Sequence, residues 1–102
     1  MILVRDVFHA KYGRGDELVA LFKEAFAQMP DAMQTGSGRL MTDLSGRYFT
    51  IVTEYEVESL AVWERQFAEM MAQSGTAGTD TFSTRMNELI EWGHREFYTI
   101  VT

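Results

Sequence analysis

Cysteine is absent from this 102-residue sequence, which excludes disulfides, thiolate metal sites and cysteine nucleophiles. Basic charge is scarce: 9 Lys and Arg stand against 15 Asp and Glu, for a net charge of −6. A nucleic-acid binder needs a basic face to displace counterions from phosphates. The one basic cluster here, Arg5, Lys11 and Arg14, is interspersed with acids. No apolar run approaches the roughly 20 residues that span a bilayer. The start, MILVRDVFHAKYG, is too short and too charged for a signal peptide. The expectation is a cytoplasmic protein with neither nucleic acid nor membrane as partner. Proline occurs once, at Pro30, where it ends a helix rather than kinking one.

What is present is apolar and aromatic: 46% of residues are hydrophobic and 13% aromatic. The length fits one domain, residues 1–102. A chain of this size buries only about 65% of its unfolded surface, so its own core is modest.

The stretch RYFTIVTEYEVESLAVWERQFAEMM (47–71) changes period half-way. Residues 48–55 are aromatic and β-branched without Gly or Pro, and predict a strand. One face carries Phe49, Ile51, Thr53 and Tyr55; the other carries Tyr48, Thr50, Val52 and Glu54. Both faces hold apolar groups, as in a central strand covered on two sides. Beyond Glu56, Leu60, Trp63, Phe67, Met70 and Met71 recur at helical spacing. Ser59 is the expected N-cap, its hydroxyl accepting from a first-turn amide.

Residues 2–8 predict a first strand, with Leu3, Arg5, Val7 and His9 on one face and Ile2, Val4, Asp6 and Phe8 on the other. KYGRG turns the chain into a helix capped by Asp16, with Leu18, Leu21, Phe22, Ala25, Phe26 and Met29 as its apolar stripe. A loop at 35–38 precedes a weaker strand over 39–44, and Ser45-Gly46 forms a hairpin turn into the long strand. A loop at 73–79 leads to a third helix capped by Thr79 or Asp80, with Phe82, Met86, Leu89 and Ile90 on one side and Gly93 as its stop. Residues 94–101 predict the last strand.

The order β-α-β-β-α-(α)-β, with helices segregated to one face of an antiparallel sheet, is an α+β sandwich of ferredoxin-like type with the first and third strands in the centre. Large apolar groups on both strand parities leave one sheet face uncovered in a two-layer monomer. A homodimer through those faces covers it.

At this point the chain resembles the dimeric α/β-barrel superfamily, in which two ferredoxin-like protomers pack sheet to sheet. The local match is TEYEVESLAVWERQF (53–67), similar to the strand-to-helix junction of the antibiotic biosynthesis monooxygenase-like branch, with a NIPSNAP-like barrel close to it at this level. The resemblance implies a pocket between helices and sheet, and includes cofactor-independent oxygenases of aromatic substrates. Some members carry a histidine near the end of the second helix; residues 68–73, AEMMAQ, have none.

The candidate chemistry is sparse. His9 and His94 are the only histidines, at ends of the first and last strands that can meet; with Asp6 or Glu96 they would supply metal ligands, but no metal-ligand spacing is present and no metal site is assigned. Arg5 among apolar strand neighbours requires a partner, Glu54 or Glu96, or else anchors an anionic substrate. The catalytic candidates are His9, Arg5 and Glu54, a carboxylate raised in pKa by burial being able to act as a base. Phe22, Phe26, Trp63, Phe67 and Tyr98 are the candidates to line an apolar site; the helical ones equally suit an ordinary core. Two readings stay open: a small-molecule enzyme, monooxygenase-like or isomerase-like, acting without bound cofactor on an aromatic or enolic substrate, and a non-catalytic dimeric binding or scaffolding module.

Overall fold

The computed structural model describes residues 1–27, 38–72 and 77–102, the last group without the side chains of 77–81. Met29, Pro30 and the greater part of both loops expected at 35–38 and 73–79 lie outside the described residues, as do the side chains of Thr79 and Asp80.

The elements run β1 (Ile2–Ala10), α1 (Gly15–Ala27), β2 (Arg39–Thr42), β3 (Thr50–Val57), α2 (Leu60–Ala72), α3 (Ala77–Leu89) and β4 (Ile90–Thr99). The sheet order is β2-β3-β1-β4, every pair antiparallel. β1 and β3 are therefore central, as the two-sided patterning of their sequences requires.

The alternation expected for β1 and β3 is the alternation observed. Val4, Phe8 and Ala10 from β1 and Ile51 from β3 face the helices. There Leu18, Leu21 and Phe22 of α1 and Leu89 of α3 close the core. Phe22 stacks at 5.0 Å on Phe8 and touches Phe26 and Phe82, so the aromatic stripe of α1 is packed interior. α2 is less well covered: Trp63 and Phe67 are half-buried, whereas Leu60, Met70 and Met71 of the same stripe are exposed.

Four local expectations need correction. β3 starts at Thr50, not at residue 48, because Phe49 has a left-handed backbone (φ 58°) that breaks the extended run. β2 stops at Thr42, since Asp43 turns to close the hairpin: its N–H donates to Thr50 O and its Oδ1 accepts from Thr50 N–H. α1 starts at Gly15, which places Asp16 inside the first turn rather than at the cap. Gly93 does not stop α3, which ends at Leu89, so Ile90 leaves the helix stripe and opens β4, which spans Ile90–Thr99 rather than residues 94–101. Gly93 sits inside β4 opposite Phe8, where an added Cβ would lie 2.7 Å from Val7 O. Only glycine allows β1 and β4 to approach this closely. The Ser59 cap is as expected: Val62 N–H donates to its Oγ at 3.2 Å.

Candidate functional site

No described helix covers the second sheet face. Leu3, Arg5, Val7 and His9 from β1, Thr50, Val52 and Glu54 from β3, and Trp92, His94, Glu96 and Tyr98 from β4 line an open concavity of about 800 Å³ there. The β2–β3 connection adds Asp43, Ser45 and Arg47 to its rim. Alternation along three antiparallel strands is enough to gather this set, since register pairs Arg5 with Glu54 and Glu96, and His9 with Thr50 and Trp92.

The face has a charged middle. Arg5 binds Glu54 at 2.6 Å and Glu96 at 3.3 Å, so both partners expected for it from sequence are engaged at once. Glu96 also accepts from the Tyr98 hydroxyl at 2.7 Å and lies 2.9 Å from His94 Nε2. Donation by Tyr98, then by His94, holds the Glu96 carboxyl below its ordinary value, and the same bond raises the Tyr98 phenol. The face is thus less greasy than its apolar residues alone imply, although Trp92 and Tyr98 remain 45% and 49% exposed.

One end carries a second group. His9, only 8% exposed, stacks on Trp92 with ring centroids 3.9 Å apart. The Arg47 guanidinium lies 5.1 Å from the Trp92 ring centre. Burial lowers the His9 pKa, and the Arg47 and His94 charges lower it further, partly opposed by Glu91. His9 and His94 do come to one face, with the Trp92 ring near both. Asp6 points to the other face, and among the described residues no group of three or more His, Asp or Glu could hold a metal ion.

Between sheet and α2 lies a third cluster. Arg95 Nε donates to Asp6 Oδ1 at 2.6 Å, and its guanidinium covers Trp63 and Phe67 at 5.0 and 5.2 Å. Trp63 Nε1 donates to the Tyr55 hydroxyl at 2.9 Å, and Phe97 meets Trp63 edge-on. Burial raises the Tyr55 phenol.

The residues picked from sequence are therefore split by the sheet. His9, Arg5, Glu54 and Tyr98 share the open face, whereas Phe22, Phe26, Trp63 and Phe67 belong to the helix side. An expected single pocket between helices and sheet, combining both sets, is not what the geometry provides. Sequence reasoning passed over Trp92, Arg47 and Thr50 as a unit with His9. The period-2 rule could have joined Thr50 and Trp92 to His9, but Arg47 comes from a turn whose course no periodicity describes.

Solved structures with this architecture are numerous. An uncharacterised NIPSNAP domain protein from Burkholderia xenovorans superposes with a TM-score of 0.69 at 14% identity, over 100% of this chain and 96% of that one. A NIPSNAP family protein of unknown function from Agrobacterium tumefaciens gives 0.76 at 16% identity, over 96% and 86%. An antibiotic biosynthesis monooxygenase gives 0.67 at 15% identity, over 100% of both chains. The chain shares the ferredoxin-like fold of NIPSNAP and antibiotic biosynthesis monooxygenase-like proteins. The resemblance seen in residues 53–67 thus holds at the level of the fold. No protein-family model and no curated protein matches the sequence. No described helix is long and apolar enough to cross a membrane.

Proposed function

We propose that this chain is a homodimeric small-molecule-binding protein whose open sheet faces meet, and that an aromatic or enolic ligand is held in the concavity on that face. The single observation that carries this reading is the gathering of Arg5, Glu54, Glu96, Tyr98, His94, His9 and Trp92 on one face that no described helix covers, around about 800 Å³ of open space. Aromatic rims and convergent polar groups are what a planar, oxygenated ligand requires. Turnover without a bound cofactor, in the manner of a monooxygenase, would use His9 as base and Arg5 to polarise the substrate. The fold likeness supports that step only by association.

A non-catalytic dimeric module is the second reading, and one observation favours it. Arg5, Glu54 and Glu96 already satisfy one another, and among the described residues no buried side-chain N or O lacks a partner. Such a network suits a register device between two sheets as well as it suits a catalyst.

A panel of phenols, quinols and enols, followed by thermal shift and by oxygen uptake, tests both readings. A melting-temperature rise with oxygen consumption supports the enzyme; a rise without consumption leaves a binding protein; neither response removes the ligand site. Sedimentation at micromolar concentration tests the assembly, and a stable species at 11.7 kDa would remove the dimer.

A further inference from the structure

The His9 end of the concavity has a defined donor and acceptor pattern. Thr50 has one hydroxyl proton, and it is donated to Arg47 O at 2.9 Å. The 3.3 Å contact between Thr50 Oγ1 and His9 Nδ1 then needs its proton from the imidazole. On that assignment of the hydroxyl proton His9 is the Nδ1–H tautomer, with a lone pair on Nε2. Among the described residues Nε2 has no hydrogen-bond partner, and since no buried side-chain nitrogen there is unpartnered, Nε2 retains contact with solvent. The lowered His9 pKa keeps this acceptor neutral near pH 7.

Arg47 complements it. Its guanidinium rests against the same Trp92 ring that His9 stacks on, and no described carboxylate lies within ion-pair reach of it. A bare acceptor and an uncompensated cation thus flank one exposed aromatic ring. Arg5, the cation at the centre of this face, is by contrast already held by two carboxylates.

We propose that His9, Arg47 and Trp92 form a receptor for a planar compound with adjacent hydroxyl and carbonyl or carboxylate oxygens, such as an ortho-hydroxyaryl acid or a keto-enol. The ligand O–H exchanges its internal bond to the neighbouring carbonyl or carboxylate oxygen for one to His9 Nε2, and the oxygen so released accepts from Arg47. Guanidinium N–H groups form charge-assisted bonds to such oxygens, and the flat ring packs at the Trp92 rim. A simple phenol lacks the acceptor for Arg47, and a bare carboxylate sets its lone pairs against that of His9. Thr50 is a positioning residue, acting through the tautomer it imposes. This proposal rests on the reading that the open face binds a ligand, and it places that ligand at the His9 end of the face, at the edge of the contact between the two sheets rather than under it.

The test uses the full chain and salicylate, compared with 2-methoxybenzoate and phenol, by calorimetric titration. Salicylate is expected to bind about tenfold tighter than either analogue, because each analogue forfeits one hydrogen bond. Arg47→Gln is expected to abolish the preference, while Arg14→Gln keeps it. Nitrogen-15 NMR of the free protein is expected to show His9 protonated at Nδ1, with Thr50→Val releasing that tautomer and Thr50→Ser restoring it. A proton on Nε2, equal binding of the three compounds, or an unchanged preference in Arg47→Gln would overturn the proposal while leaving the ligand-binding reading intact. Absence of binding by any of the three would likewise overturn the receptor, and the response to the panel of phenols, quinols and enols then decides the ligand-binding reading separately.

Discussion

Arg95 and Asp6, adjacent on paired strands, are joined at 2.6 Å under a helix that buries no residue of its own completely. Asp6 is 8% exposed, while the Arg95 guanidinium covers Trp63 and Phe67 of α2. One cation thus neutralises a buried carboxylate and supplies a lid-side contact for the helix. Arg95→Met should cost about 2 kcal/mol, discounted for the partial exposure of Arg95, because Asp6 is left unpaired. Urea unfolding measures this. The double variant Asp6→Asn with Arg95→Met should recover part of the loss, and an equal or larger loss would show that packing on α2, not charge, dominates.

Gly93 faces Val7 O across the β1–β4 pair, with no room for a methyl group. Gly93→Ala should therefore destabilise by roughly 1–3 kcal/mol, the usual cost of forcing atoms into a filled site. Amide exchange should quicken in β4 more than in β2. A neutral substitution would mean that the two strands separate readily at this point.

Ser59 Oγ accepts from the Val62 amide at the start of α2. Ser59→Ala should lower stability by about 1 kcal/mol, and Ser59→Asp should retain most of it. Since little of α2 is buried, the loss should appear first as faster exchange within the helix, before global unfolding.

The pH response follows from His9. Its folded pKa lies below the ordinary imidazole value of about 6.5, through burial first and then through Arg47 and His94. Below that value the unfolded chain holds more protons than the folded one, so stability falls as pH drops from about 6.5 towards the folded pKa. Melting temperatures measured from pH 7 to 5 should fall less steeply in His9→Gln than in the parent. Parallel slopes would show that His9 is not the group responsible. Glu96 contributes in the same direction at more acidic pH, because its folded pKa is also lowered.

Much of the architecture could be read directly from the residues. Alternation in 2–8 and 48–55 assigned the side chains their faces, and a mid-strand arginine could be expected to find Glu54 or Glu96, because desolvated charge is tolerated only when paired. The Ser59 cap followed from local hydrogen-bond chemistry alone. The candidate site was less legible. His9 and Arg5 could be placed on one face with Glu54, but Phe22, Phe26, Trp63 and Phe67 were joined to them only by composition, and the sheet separates the two groups.

The sequence by itself determined the order of elements, the parity of the strands and the central place of β1 and β3, because these depend on periodicities of two and 3.6 residues. Only the tertiary structure decided the rest. Gly93 became a point of strand approach, Phe49 broke a strand that propensity would have extended, and a turn carried Arg47 across to Trp92 and His9. Those outcomes depend on register and loop course, which are set by contacts between residues far apart in the chain.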